Sequence, residues 1–126
     1  MKLIYQPDGS SLCGQACVAM LAGVSLEKSV ATFGKRDGTT TKEVVAALKS
    51  LGVKCGNRLF SVKNHVMTPV CIVKLHFDYD KSHTHWTVYN NGVFYDPAIG
   101  KTEKYPEGVR GTSFLPIFEE GWTSGA

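Results

Sequence analysis

The stretch HWTVYNNGVFYD, residues 85–96, places two strand-forming runs on either side of Asn91-Gly92. Asn-Gly between such runs is the strongest short-range signal for a β-hairpin with a two-residue turn. In that register Thr87 faces Asp96, and residues two apart on a strand share one face of the sheet. His85 and Asp96 are therefore predicted to be diagonal neighbours on one face. A three-residue turn would move Asp96 to the opposite face.

Further strand signals lie on both sides of this hairpin. Residues 70–75, VCIVKL, form a nearly continuous apolar run after Pro69, which is typical of a central buried strand. Residues 112–118 predict a last short strand, in which Pro116 marks an edge position because proline has no N–H to donate. Residues 53–62 are a weaker strand candidate.

The N-terminal part of the chain has helical patterns instead. Residues 12–22, LCGQACVAMLA, predict a buried helix, and Ser25 caps a second helix with apolar residues at every third or fourth position. Thr40 and Glu43 match a capping box that opens a third helix. Residues 1–6 are predicted to be an edge strand or an arm. Helices followed by an antiparallel sheet define an α+β fold.

The composition is typical of one globular domain, residues 1–126. The net charge of +3 and the lack of a long Lys/Arg run do not indicate a nucleic-acid partner, and no apolar stretch is long enough for a membrane span. The N-terminus lacks the apolar region of a secretory signal, so we expect a cytoplasmic protein whose four cysteines stay reduced. The oligomeric state is left open.

Cys13 lies where the polar loop of residues 8–11 meets the first predicted helix. The free N–H groups and the dipole at a helix start stabilise a thiolate, which is the nucleophilic form of cysteine. Gly14 is expected to leave one flank of the sulfur open to a substrate. The predicted pair of His85 and Asp96 supplies a base whose tautomer a carboxylate can fix. A small core residue is the alternative interpretation of Cys13 alone.

Two segments resemble those of a known family. LCGQACVAML (residues 12–21) and HWTVYNNGVFYDP (residues 85–97) are similar to segments of the papain-like cysteine peptidases. The resemblance is closest to the double-glycine leader-peptidase domains of bacteriocin exporters and their free-standing relatives. It implies a papain-like fold, with N-terminal helices packed on a C-terminal antiparallel sheet.

The resemblance also implies a role for each candidate site residue. Cys13 would be the nucleophile, His85 the general base and acid, and Asp96 the orienting group. Gln6 would donate to the oxyanion hole together with the backbone N–H of Cys13. Gln6 stands one residue further from the cysteine than is usual in the family, and Gln15, inside the helix start, is a poorer candidate for this role.

The function implied is hydrolysis of peptide bonds in a peptide or protein substrate through a thioester intermediate, with no cofactor. Two alternatives remain open: glutamine deamidation or transamidation by the same residues, and a non-catalytic binding or inhibitory module. The four cysteines lack the paired C-x2-C spacing of zinc ribbons, so no metal is expected.

Overall fold

The computed structural model describes residues 1–80 and 82–118, and in these residues the fold is α+β. Three N-terminal helices precede an antiparallel sheet, as predicted, and the sheet has six strands. The helices are α1 (Cys13–Ala22), α2 (Leu26–Phe33) and α3 (Thr41–Ser50). The strands are β1 (Phe60–Ser61), β2 (Val70–Phe77), β3 (Thr84–Asn90), β4 (Val93–Asp96), β5 (Gly100–Thr102) and β6 (Val109–Pro116). No single helix in this part of the chain has both the length and the apolar character needed to cross a membrane.

The starts of the helices differ in how their N–H groups are satisfied. The Ser25 hydroxyl accepts a hydrogen bond from the Lys28 N–H at 3.0 Å, which caps α2. Thr40 and Glu43 form both hydrogen bonds of the predicted capping box at the start of α3. α1 follows Leu12, whose side chain offers no acceptor. Only α1 thus begins without a side-chain cap among these three helices.

The sheet has the strand order β1-β6-β2-β3-β4-β5. β2 lies in the middle and is buried over most of its length, so the prediction of a central strand is confirmed. The strand candidate at residues 53–62 is wrong except for the two residues of β1. β6 begins earlier than predicted and is not an edge strand, since it lies between β1 and β2. Pro116 nevertheless lies beyond the residues that pair with β1, where no strand requires its missing N–H.

The hairpin forms in the predicted register. Val88 pairs with Tyr95, and Asn90 pairs with Val93 across the turn. Asn91 and Gly92 have φ values of 49° and 92°, the positive values that a two-residue hairpin turn with right-handed strand twist requires. The turn therefore has two residues, and Asp96 stays on the face of the sheet that carries His85.

Apolar residues are buried on both faces of the sheet. The helices cover one face, where Ile72, Trp86 and Val88 join Val18 of α1 and Leu48 of α3 in the main core. The other face carries a second cluster, which is covered by residues from outside the helices. The buried members of this cluster are Cys71, Val73, Leu75, Phe94 and Phe114. Burial on both faces explains why β2 is apolar at nearly every position.

Residues 1–12 contain no helix or strand and form an arm rather than an edge strand. The Gln6 N–H donates to the Pro97 carbonyl oxygen at 2.9 Å, which joins the arm to the end of β4. The arm then turns at residues 7–10, where the Ser10 N–H donates to the Pro7 carbonyl oxygen at 3.0 Å. Gly9 supplies the positive φ of this turn, 72°. The turn leads the chain directly into α1.

Candidate active site

The first residue of α1 meets the hairpin at one end of the sheet. Cys13 is half-buried there, and its thiol lies close enough to His85 to raise the pKa of the imidazole. His85 Nε2 lies 2.9 Å from Asp96 Oδ1. Because Asp96 occupies Nε2, the other ring nitrogen, Nδ1, is the one left for the sulfur. The structure thus brings Cys13, His85 and Asp96 together in one series, with His85 between the thiol and the carboxylate.

The Asp96 carboxylate is fixed by its surroundings. Its side chain is 5% exposed, and Oδ1 also accepts hydrogen bonds from the backbone N–H groups of Ala98 at 2.8 Å and Ile99 at 3.3 Å. Burial alone would raise the pKa of Asp96, but the hydrogen bond from His85 and the two backbone N–H groups outweigh it and lower that pKa. Asp96 is therefore a charged acceptor that holds one orientation of the imidazole.

His85 is a stronger base than a free histidine. Burial alone would lower its pKa, but the hydrogen bonds and the charges of Asp96 and Cys13 outweigh burial and raise the pKa of His85 to about 9. At neutral pH the imidazole can therefore hold a proton released by the neighbouring thiol. The same proton can later pass to a leaving group, so the pair is suited to nucleophilic attack followed by general-acid catalysis.

The series opens into a cleft of about 520 Å³ that Gln6 also lines. Gln6 Nε2 donates one hydrogen bond to the Ser10 carbonyl oxygen at 2.8 Å, which leaves its second N–H for another acceptor. Gln6 stands one residue further from Cys13 than is usual in the papain-like peptidases. The turn at residues 7–10 accommodates this residue, and the Gln6 side chain still lines the cleft.

The open flank expected at Gly14 is not present. A Cβ on Gly14 would lie 3.2 Å from Thr39 Cβ and closer still to the Thr39 hydroxyl oxygen. Glycine is required here because the loop between α2 and α3 packs directly on α1. That loop brings Gly38 and Thr39 into the lining of the cleft, and no local sequence signal indicated this contact.

Gln15 holds this loop in place rather than facing the cleft. Its side chain is fully buried, and Nε2 donates to the carbonyl oxygens of Asp37 at 2.9 Å and Lys35 at 3.3 Å. The Ser29 hydroxyl in turn donates to the Gln15 carbonyl oxygen at 2.7 Å. The residue after Gly14 thus links the start of α1 to both α2 and the loop that follows it.

The other cysteines are buried thiols. All four cysteines are free, and Cys17, Cys55 and Cys71 lie in the core. Burial raises the pKa of Cys71 to about 12 and also raises the pKa values of Cys17 and Cys55. These three thiols are therefore poor nucleophiles. In residues 1–80 and 82–118, no group of three or more His, Cys, Asp or Glu side chains is arranged to hold a metal ion.

The fold and site together define a class of arrangement: an α+β domain in which a helix-start cysteine meets a histidine–carboxylate pair on a hairpin. No protein-family model matches the sequence, and no curated protein matches it either. Function is therefore inferred from the residues and geometry of this chain.

Proposed function

We propose that the protein is a cysteine peptidase of the papain-like type, with Cys13, His85 and Asp96 as its catalytic residues. The observation that carries the proposal is the series itself: His85 is hydrogen-bonded to a buried carboxylate and lies next to the Cys13 thiol in the same cleft. An imidazole oriented in this way next to a thiol is the signature of an activated nucleophile. The resemblance of residues 12–21 and 85–97 to the double-glycine leader peptidases supports the same conclusion.

In the proposed reaction, the Cys13 thiolate attacks the carbonyl carbon of a peptide bond while His85 holds the proton. The tetrahedral intermediate collapses when His85 gives that proton to the leaving amine, and the acyl group stays on sulfur as a thioester. Water then attacks the thioester with His85 as general base, which releases the acid and restores the thiol. Asp96 keeps the imidazole in the required tautomer throughout.

The negative charge that develops on the carbonyl oxygen needs hydrogen-bond donors. α1 has no side-chain cap, so no side chain competes for the N–H groups of its first turn. The second N–H of the Gln6 amide, which lines the same cleft, is the other donor in this proposal. Donors fixed in advance by a helix start and an anchored arm stabilise such a charge without reorganisation.

Iodoacetamide labelling tests the activation of Cys13, with each modified cysteine located by mass spectrometry. Because Cys17, Cys55 and Cys71 are buried, preferential labelling of Cys13 could follow from access alone. The decisive control is His85→Ala, which leaves access to the sulfur and removes the base. We expect the rate at Cys13 to fall in this variant at neutral pH. An unchanged rate would contradict the assignment of His85.

A peptide mixture tests the reaction itself, with the wild-type protein compared with Cys13→Ala. New chain ends that appear only with the wild type would support a peptidase. Glutamines converted to glutamate in uncut peptides would support the deamidase alternative. A wild type that forms neither product, and whose Cys13 is not activated by His85, would favour a non-catalytic binding module.

A further inference from the structure

Unpartnered polar atoms are concentrated at the cleft. Among the described residues, four buried side-chain oxygen atoms have no hydrogen-bond partner within the protein. Three of them belong to residues that line the cleft with Cys13: Gln6 Oε1, Ser10 Oγ and Thr39 Oγ1. A buried polar atom without a partner is costly, and most native structures contain few of them. Their grouping around one cleft therefore calls for an explanation in the chemistry of the site.

These atoms come from two separate segments of the chain. Gln6 and Ser10 belong to the N-terminal arm, whereas Thr39 belongs to the loop between α2 and α3. Thr39 packs on Gly14, the residue next to the nucleophile. Ser10 and Thr39 lie outside helices and strands, so a side-chain rotation or a small shift turns either hydroxyl toward a bound molecule. The two segments thus present hydrogen-bonding groups near the attacked carbonyl.

The three unpartnered oxygen atoms at the cleft are suited to hydrogen bonds with an uncharged ligand. Gln6 Oε1 can only accept a hydrogen bond, while the two hydroxyls can donate or accept. Among the described residues that line the cleft there is no lysine, arginine or glutamate, and the one aspartate, Asp96, is bonded to His85. A peptide main chain offers one N–H and one C=O per residue and carries no charge. It matches the hydrogen-bonding groups present, and the charged groups of the lining, His85 and Asp96, are paired with each other.

We propose that Ser10 and Thr39, together with Gln6 Oε1, bind the main chain of the substrate beside the scissile bond. This inference rests on the proposed function and deepens it, because it makes recognition next to Cys13 independent of the substrate's side chains. Ser10 and Thr39 are positioning residues for the peptide, whereas Cys13 and His85 carry out the chemistry. The substrate class is an extended, uncharged peptide segment.

Two alkylating probes separate binding from reactivity. Iodoacetamide reports the reactivity of the Cys13 thiol and carries no peptide, whereas Ala-Ala-Ala chloromethyl ketone presents a peptide main chain with small, uncharged side chains. With either probe a new C–S bond forms and halide leaves. Each rate at Cys13 is divided by the rate of the same probe with free cysteine, which removes the difference in intrinsic reactivity.

We expect the wild type to prefer the peptidyl ketone after this correction. Thr39→Val and Ser10→Ala should each slow the reaction with the ketone about threefold to tenfold, the range of one ordinary hydrogen bond. Their rates with iodoacetamide should stay at the wild-type value. Thr39→Ser, which keeps the hydroxyl, should restore most of the ketone rate.

Thermal unfolding provides the matched control. The Thr68 hydroxyl donates to the Val70 carbonyl oxygen at 2.7 Å and does not line the cleft, so Thr68→Val should lower the melting temperature and leave both alkylation rates unchanged. Thr39→Val and Ser10→Ala remove hydroxyls that have no partner in the protein, so they should not lower it.

The inference is overturned if the wild type shows no preference for the ketone, or if Thr39→Val and Ser10→Ala both react with it at the wild-type rate. It is also overturned if both variants melt at lower temperature and lose reactivity toward the two probes equally, since a structural role would then explain the loss. Failure of the proposed function has a different signature: Cys13 of the wild type would react with iodoacetamide at the same rate as in His85→Ala.

Discussion

The starts of α1 and α2 make opposite use of the same backbone groups. At α2, the Ser25 hydroxyl satisfies the N–H of Lys28, as is usual at a helix N-terminus. At α1, Leu12 is buried and supplies no acceptor, and the first helical residue is Cys13. The first arrangement stabilises the fold, whereas the second leaves donors free beside a sulfur. α1 thus gives up the stability that a polar cap would have supplied, which fits the proposed role of its first N–H groups as donors to a substrate.

The largest effects on activity are expected for substitutions of the residues around the start of α1. Cys13→Ala and His85→Ala should each lower kcat by ~10⁶-fold, and Asp96→Ala by ~10⁴-fold, because an imidazole without its carboxylate still adopts the correct tautomer part of the time. Turnover of a cleaved peptide is the measurement, with urea unfolding to show that each variant is folded. An Asp96→Ala variant as inactive as Cys13→Ala would mean that the carboxylate does more than orient His85.

Gln6→Ala tests whether the backbone N–H groups at the start of α1 stabilise the oxyanion without help from the Gln6 amide. We expect a loss of about 10²- to 10³-fold in kcat, as for removal of one oxyanion donor elsewhere, together with a smaller rise in KM, because Gln6 Oε1 is also proposed to contact the substrate main chain. Gln15→Ala is the matched glutamine substitution: it should lower the free energy of unfolding, because Gln15 anchors the loop after α2. A change in KM alone for Gln6→Ala would leave the amide with its role in substrate binding and remove it from the oxyanion hole.

The stability of the site should depend on pH in a defined direction. The pKa of His85 is raised to about 9 in the folded protein, against about 6.5 in an unfolded chain. Its stabilising contribution is therefore fully present below about pH 6.5 and is lost as the pH rises through about 9, on the order of 3 kcal/mol in total. Urea midpoints between pH 5.5 and pH 9.5 measure this loss.

His85→Gln is the control for that pH dependence, because glutamine does not titrate and the ionisable groups outside the site are unchanged. The wild type should lose more stability than this variant over the same pH range. Equal losses in the two proteins would show that His85 does not gain its proton affinity from the folded site.

The smallest effect is expected at the capped helix. Ser25→Ala removes the acceptor of the Lys28 N–H and should lower the free energy of unfolding by about 1 kcal/mol. The rate of iodoacetamide labelling at Cys13 should not change, since this cap has no role in the cleft. If the rate at Cys13 fell together with stability, the two helix starts would not be independent.

The elements that were predicted correctly are those with local causes. The Asn91-Gly92 turn and the alternation around it fixed the register, and the register alone placed His85 beside Asp96. The capping box of Thr40 and Glu43 likewise involves residues only three positions apart. Such features depend on short stretches of chain, so the sequence is sufficient to predict them.

The features that were missed depend on contacts between distant segments. Thr39 reaches Gly14 only because Gln15 anchors the intervening loop, and nothing near Thr39 in the sequence signals this. β5 is three residues long and the first half of β6 contains Gly111, so neither has a strong strand pattern. Pairing with neighbouring strands, rather than intrinsic preference, forms these two strands.

The two-residue turn of the hairpin limits how the chain can change in length. Side chains alternate between faces along a strand, so one residue inserted between His85 and Asp96 would turn the carboxylate away from the imidazole, whereas two inserted residues would not. Related chains that keep the pair should therefore differ in this segment by even numbers of residues, or contain a β-bulge that restores the alternation. For design, a peptide inserted at the hairpin tip keeps His85 and Asp96 on one face when its length is even or when a β-bulge compensates for an odd length.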